Sequence, residues 1–166
     1  MDEWHDFFLA TSAAAGVLTG LVFVGVSINL EKIVSQSGGG GLPGRAAEAL
    51  ILLLAVLTAS ILLLVPGQSI SLMGGEVLVV GAAAYAWIVT IQVLHLRKWP
   101  TIPSELRAPL VLRVTLAQIS TLPTVIAGIA LLTAGFDGLY WLVAGMVFSM
   151  LAAMFDAWVL LVEINR

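Results

Sequence analysis

The segment "LYWLVAGMVFSMLAAMFDAWVLLV" (139–162) is apolar almost throughout, yet it contains an acid, Asp156. A helix of about 20 mostly apolar residues is long enough to cross the hydrocarbon core of a bilayer. A carboxylate near the centre of such a helix is unfavourable by about 2.5–3.5 kcal/mol, and by less near the boundary. The segment therefore predicts a transmembrane helix in which Asp156 needs a partner.

The composition of the whole chain supports a membrane location. Of its 166 residues, 60% are hydrophobic and only 10% are charged, and the mean hydropathy is +1.08. Soluble domains carry about 25% charged residues, which cover their surface. We therefore expect an integral membrane protein whose partner is the lipid bilayer, with residues 1–166 forming a single transmembrane domain. The basic residues form no stripe, so no nucleic-acid partner is expected.

Further apolar segments extend this prediction to an all-α bundle of five transmembrane helices. Glycine, proline and serine cluster in the connectors between them, as is typical of turns and loops. The predicted spans are residues 7–30, 47–66, 76–96, 109–133 and 139–162.

The basic residues predict how the bundle is oriented in the membrane. Five spans place the two termini on opposite sides, and all lysines and arginines then fall on one side. Since cytoplasmic loops are rich in these residues, we expect the N-terminus outside and the C-terminus in the cytoplasm. The basic residues are Lys32, Arg45, Arg97, Lys98, Arg107, Arg113 and Arg166.

Small residues spaced four apart predict where helices pack closely. In lipid, such residues allow two helix backbones to approach each other. They can join helices within one chain or between two copies, and the spacing fits both arrangements. The helix-packing residues are Ser12, Gly16 and Gly20 in the first span and Gly145, Ser149 and Ala153 in the last.

Pro123 lies inside the fourth predicted span. Its ring removes a backbone donor and crowds the carbonyl of Ile119, so a kink is expected. Ser120, Thr121 and Thr124 can provide hydrogen bonds to the freed backbone groups. The kink is interpreted either as a hinge for gating or as a static bend that shapes the bundle.

Polar residues concentrate in the cytoplasmic half of the predicted bundle. Asp156 and Arg113 lie at similar depths on different helices, as judged from a rise of about 1.5 Å per residue. We predict that they form an ion pair, with Gln118, Gln92 or Asn29 as hydrogen-bonding neighbours. This intramembrane cluster is interpreted either as a functional site or as a structural device that sets helix register. In another arrangement Arg113 extends to the headgroups and Asp156 is protonated or faces water.

The sequence contains no pattern that indicates catalysis. It has neither a nucleophile motif nor a HExxH motif, so no enzyme, catalytic residue or cofactor is expected. His5 and His95 are predicted at opposite membrane faces and cannot share a metal ion. The chain has no cysteine and therefore no thiolate ligand.

Several segments resemble a group of small bacterial multi-pass membrane proteins of unknown function. They are "ATSAAAGVLTGLVFVGVSINLEKI", "EALILLL", "LVPGQS", "GLYWLVAG" and "AWVLLVEINR". The resemblance implies a location in the bacterial inner membrane, and it implies no site residue.

Two functions fit these observations. In the first, the chain forms a homo-oligomeric channel or small-solute permeation protein, whose polar half is a cytoplasmic vestibule. The apolar outer half is the main objection, because it offers no polar path for a solute. In the second, the chain is an accessory or scaffold subunit that regulates another membrane protein through helix–helix contacts.

Overall fold

The computed structural model describes residues 2–35, 42–97 and 104–163 of the chain. These residues are almost entirely helical, and they contain no β-strand. The described helices are α1 (Asp2–Ile28), α2 (Leu30–Ser35), α3 (Leu42–Leu63), α4 (Ile70–Leu96), α5 (Ser104–Thr133) and α6 (Gly138–Glu163). A 3₁₀ turn (Gly135–Asp137) precedes α6.

Within the described ranges, five helices are long and apolar enough to span a membrane, as the sequence predicts. Their spans are Trp4–Ile28, Leu42–Leu63, Ile70–Leu94, Leu110–Thr133 and Gly135–Leu160.

All five spanning helices begin before their predicted spans, by one residue in α6 and by five or six residues in the others. Helix α3 begins at Leu42 rather than at residue 47, and α4 begins at Ile70 rather than at residue 76. Pro43 lies in the first turn of α3, where a proline fits well because the backbone N–H groups of that turn have no intrahelical acceptor. The early start brings Arg45 into the helix, whereas the predicted span 47–66 leaves it outside.

Helix α3 occupies the centre of the bundle. It packs against α1, α4 and α6, while α5 packs against α4 and α6. Half of the α3 span is buried within the protein, whereas only 22% of the α1 span is buried. Helix α1 is therefore the most peripheral of the five spans.

Consecutive spans run in opposite directions, which gives the bundle two distinct ends. The ring of Trp4, at the start of α1, lies 5.4 Å from that of Tyr140, at the start of α6. At the other end, Arg45 near the start of α3 contacts Asp156 near the end of α6. Every lysine and arginine in the described ranges lies at this second end, which we call the basic end.

The interior near the opposite end is filled by apolar side chains. Phe8, Val77, Leu139 and Leu142 are completely buried there, and Leu131 is nearly so. Trp4 and Phe7 pack against the same cluster. Close packing of this kind excludes water from a protein interior.

Helices α4 and α5 approach each other closely at Gly128. A Cβ atom added to Gly128 would lie 2.6 Å from the Cα atom of Leu78, which is closer than such atoms can come. Glycine is therefore required for this approach of the two backbones. The contact positions the part of α5 that precedes it, which carries Arg113 and Gln118.

Candidate functional site: a polar network at the basic end

Four helices contribute polar side chains to one network at the basic end. Helix α3 supplies Arg45 and Glu48, which are three residues apart and therefore on neighbouring faces of the helix. Helix α5 supplies Arg113, and α6 supplies Asp156. A pair of glutamines, one from α4 and one from α5, lies next to these charges.

The most deeply buried contact joins Arg113 to Glu48. The Nε atom of Arg113 donates a hydrogen bond of 2.6 Å to Oε2 of Glu48. The Arg113 side chain is 9% exposed and the Glu48 side chain is 1% exposed. Because isolated charges are unfavourable inside a protein, each of these groups requires the other.

Asp156 has a different partner. The Nη1 atom of Arg45 donates to Oδ1 of Asp156 over 3.2 Å. The side chains of Arg45 and Asp156 are 16% and 9% exposed, respectively. The two ion pairs therefore connect α3 to α5 and α3 to α6.

The predicted Asp156–Arg113 ion pair is wrong, although both residues belong to the network. Because α3 begins at Leu42, its first turns place Arg45 beside Asp156 and Glu48 beside Arg113. Two residues at the same depth lie at the same height along the bundle. Equal depth does not show whether another helix lies between the two helices that carry them. Charge is balanced within the network, with two cations and two anions.

The structure brings the two predicted glutamines together. The Nε2 atom of Gln118 donates to Oε1 of Gln92 over 2.8 Å, which joins α5 to α4. Gln92 lies near Glu48, but its buried Nε2 atom makes no hydrogen bond within the described ranges. The amide pair therefore lies beside the Arg113–Glu48 contact without a hydrogen bond to it.

Among the described residues, the hydrogen bond of the Asn29 side chain stays at the end of α1. Its Nδ2 atom donates to the carbonyl oxygen of Gly25 in the preceding turn of α1, over 2.9 Å. The predicted role of Asn29 as a neighbour of the ion pair is thus replaced by a local contact at the end of its own helix.

A cavity of about 240 Å³ lies beside the network, between α3, α5 and α6. Arg45, Arg113 and Asp156 form its polar wall. Its other residues are apolar, and Leu112 and Phe155 among them are about half exposed at the protein surface. Within the described ranges, no three histidine or acidic side chains come close enough to hold a metal ion.

The small residues of α6 form a seam with α5 inside the same chain. A Cβ atom added to Gly145 would lie 3.0 Å from the backbone nitrogen of Thr124. The hydroxyl of Ser149 donates to the carbonyl oxygen of Ser120 over 3.1 Å, and Ala153 is completely buried. Of the two arrangements that the spacing allowed, this seam adopts the intramolecular one.

The small residues of α1 differ from those of α6. A Cβ atom at Gly16 would lie 3.9 Å from Leu57, and one at Gly20 would have nothing within 4 Å. The hydroxyl of Ser12 donates to the carbonyl oxygen of Leu9 in its own helix. Near Gly20, the face of α1 that carries the small residues is therefore not covered by the described part of the chain.

Helix α5 continues through Pro123 without a break. The hydroxyls of Ser120 and Thr121 donate to the carbonyl oxygens of Leu116 and Ala117, each over 2.8 Å. These two hydroxyls bond the preceding turn, and that of Ser120 also lies 3.1 Å from the carbonyl oxygen of Phe148 on α6. The role of Pro123 as a hinge stays a prediction.

Sequence reasoning identified Asp156, Arg113, Gln118 and Gln92 but missed the pairing role of Arg45 and Glu48. The motif "LPGRAAEA" contains the missing signal, because a proline followed by good helix formers is typical of a helix start.

Comparisons with protein families, with curated proteins and with solved structures reveal no match to this chain. The fold and the network thus define a class in structural terms: a helical protein with five spans suited to a membrane and a buried ionic network at one end. Its function has to be inferred from its own residues.

Proposed function

We propose that the chain is an accessory or scaffold subunit of the bacterial inner membrane that binds a transmembrane helix of another membrane protein through α1. The N-terminus lies outside and the C-terminus in the cytoplasm. The concentration of lysine and arginine at the basic end supports this orientation. The resemblance to small bacterial multi-pass proteins supports the choice of membrane.

The uncovered face of α1 is the observation that carries this proposal. Helix α1 packs mainly on α3, and only 22% of its span is buried. Gly20, Val17 and Leu21 are exposed on it. A small residue on an uncovered face allows a second helix to approach closely, and close packing drives helix association in lipid.

A groove between α1 and α6 extends this surface. It has a volume of about 410 Å³, and its walls are apolar. Leu18, Leu21 and Gly25 line it from α1, and Met154 and Trp158 line it from α6. Large side chains of a partner helix can pack into a groove of this kind, beside the small residues of α1.

A homo-oligomeric channel or permeation protein is the second candidate. The charged wall of the cavity beside Arg45, Arg113 and Asp156 favours it, because such a wall can form part of a vestibule at the basic end. The filled apolar interior at the opposite end leaves no polar path within the described part of a single chain. A solute path would therefore lie between copies of the chain.

The variant Gly20→Leu tests the accessory role. A Cβ atom added at Gly20 has no described atom of the chain within 4 Å, so the fold should be kept while the approach of a second helix is blocked. Gly75→Leu is the matched control, since Gly75 on α4 is equally free of neighbours within 4 Å. Each variant is expressed in its native membrane with a photo-crosslinking residue at Val17, and the crosslinked polypeptides are identified by mass spectrometry.

We expect the Val17 probe to crosslink one membrane protein of different sequence, and this crosslink to disappear in Gly20→Leu but not in Gly75→Leu. A crosslink to a second copy, together with a defined oligomer in native mass spectrometry and solute flux in liposomes, would favour the channel. If the probe reacts only with lipid, or if Gly20→Leu leaves the crosslink unchanged, the proposed role of α1 is wrong.

A further inference from the structure

The cavity between α3, α5 and α6 has an excess of positive charge on its wall. Arg45 and Arg113 line it with two guanidinium groups, whereas Asp156 contributes one carboxylate. Glu48, which balances Arg113, does not line the cavity; its side chain is only 1% exposed. The network as a whole is neutral, but the surface that a ligand would contact favours an anion.

Arg113 retains a hydrogen-bond donor that the described chain does not use. Its Nε atom is bonded to Glu48, but its Nη2 atom is buried and has no hydrogen-bond partner. The residue as a whole is only 8% exposed. A buried donor without an acceptor is unfavourable, and a guanidinium group is well suited to the oxygen atoms of a phosphate.

The two arginines lie near the ends of their spans, which in a bilayer is close to the headgroups. Arg45 and Arg113 each lie three residues inside the start of a span, at Leu42 and Leu110, which is about 4.5 Å along the helix axis. Apolar side chains surround them: Leu112 is 54% exposed and Phe155 is 47% exposed. The mouth of the cavity therefore lies on the apolar surface that lipid covers.

We propose that this cavity binds the phosphate group of an anionic phospholipid. The oxygen atoms of the phosphate accept hydrogen bonds from Arg113 and Arg45, while the acyl chains lie along Leu112 and Phe155. Asp156 keeps Arg45 in place and limits the attraction for anions that lack an apolar part. Basic pockets between transmembrane helices bind acidic lipids by the same physical principle. This inference depends on membrane insertion but not on the proposed role of α1.

Native mass spectrometry of the detergent-solubilised protein tests the site directly. Phosphatidylglycerol and phosphatidylcholine are added separately at equal concentrations. The fraction of protein that carries one bound lipid is measured for each. The wild type should bind the first phosphatidylglycerol more tightly than the first phosphatidylcholine. The double variant Glu48→Gln/Arg113→Gln removes the cationic donor together with its buried counter-charge, and Arg45→Gln removes the second cation. Each should weaken phosphatidylglycerol binding by about tenfold, as expected for one charge-assisted hydrogen bond.

Arg97→Gln is the matched control, because it removes an exposed cation at the same end of the bundle but outside the cavity. It should leave the preference for phosphatidylglycerol unchanged. Thermal unfolding in detergent checks the fold of every variant. Arg113→Lys replaces the double variant if that one does not fold, since lysine can still pair with Glu48 but lacks the Nη2 donors.

Four results would overturn the proposal. The wild type could bind both lipids equally, or Arg97→Gln could reduce the preference as much as Arg45→Gln does. Millimolar inorganic phosphate could also displace the bound phosphatidylglycerol, which would identify a site for the free anion rather than for a lipid. Retention of the preference in folded Arg113→Lys and Arg45→Gln proteins would likewise exclude the cavity as the site.

Discussion

The Nε atom of Arg113 on α5 donates to Oε2 of Glu48 on α3 over 2.6 Å, and both side chains are almost completely buried. The contact joins the central helix to the helix that packs on its neighbours α4 and α6. Removing one partner leaves the other as an uncompensated charge in an apolar environment, whereas removing both charges leaves a neutral pair that can still form a hydrogen bond.

We therefore expect Glu48→Gln and Arg113→Gln each to destabilise the protein by about 3–5 kcal/mol, the usual effect of breaking a buried ion pair. The double variant should recover most of this loss. Unfolding in mixed detergent micelles, followed by circular dichroism, measures the free energy of unfolding of all four proteins. If the double variant loses as much free energy of unfolding as the more strongly destabilised single variant, the pair does not act as a unit.

Asp156 should be coupled energetically to Arg45, which it contacts directly, more than to Arg113, which is a nearby charge of the same network. The carboxylate contacts Arg45 directly at 3.2 Å. A double-mutant cycle of Asp156→Asn with Arg45→Gln should give a coupling energy within the range of about 0.5–3 kcal/mol that is found for residues in contact. The same cycle with Arg113→Gln is the control and should give a smaller value. If the cycle with Arg113 gives the larger coupling, Asp156 pairs with Arg113 as the sequence alone predicted.

The spans could be predicted from composition because hydropathy and length are local properties of the chain. The start of α3 could not be predicted in this way. The glycine run 38–41 and Pro43 indicate a loop, yet Pro43 lies inside the first turn of the helix. This error of about five residues concealed the position of Arg45.

The pairing within the network required tertiary information. Sequence position gives the depth of a residue along its helix. By depth alone, the four charged residues of the network all lie near one end of the bundle: Arg45, Glu48, Arg113 and Asp156. Depth does not give the order of helices around the bundle or the direction in which a side chain points. Which cation contacts which anion is decided by the central location of α3 between α1, α4 and α6.

The contact of Gly128 with α4 predicts opposite effects for two similar substitutions. Alanine normally stabilises a helix relative to glycine by about 0.5–1 kcal/mol. At Gly75 the added methyl group meets nothing within 4 Å, so Gly75→Ala should be neutral or stabilising. At Gly128 it would lie 2.6 Å from the Cα atom of Leu78, so Gly128→Ala should destabilise by about 1–3 kcal/mol or more.

The same unfolding measurement in micelles compares these two alanine variants with the wild type. A stabilising effect of Gly128→Ala would show that α4 and α5 do not approach as closely as the structure describes. Destabilisation by Gly75→Ala would indicate that the face of α4 around Gly75 is covered in the folded protein.

The predicted orientation can be measured by cysteine labelling, because the natural chain contains no cysteine. Ser69 is exposed between α3 and α4, and Ala108 is exposed near the start of α5, at the basic end. We expect a membrane-impermeant maleimide to label Ser69→Cys from the outside of intact cells, whereas Ala108→Cys should react only after the membrane is permeabilised. The reason is that loops rich in lysine and arginine remain in the cytoplasm during insertion. Labelling of both variants after permeabilisation controls for the accessibility of each thiol. If intact cells expose Ala108→Cys and protect Ser69→Cys, the basic end faces outward, and the orientation predicted from the basic residues is reversed.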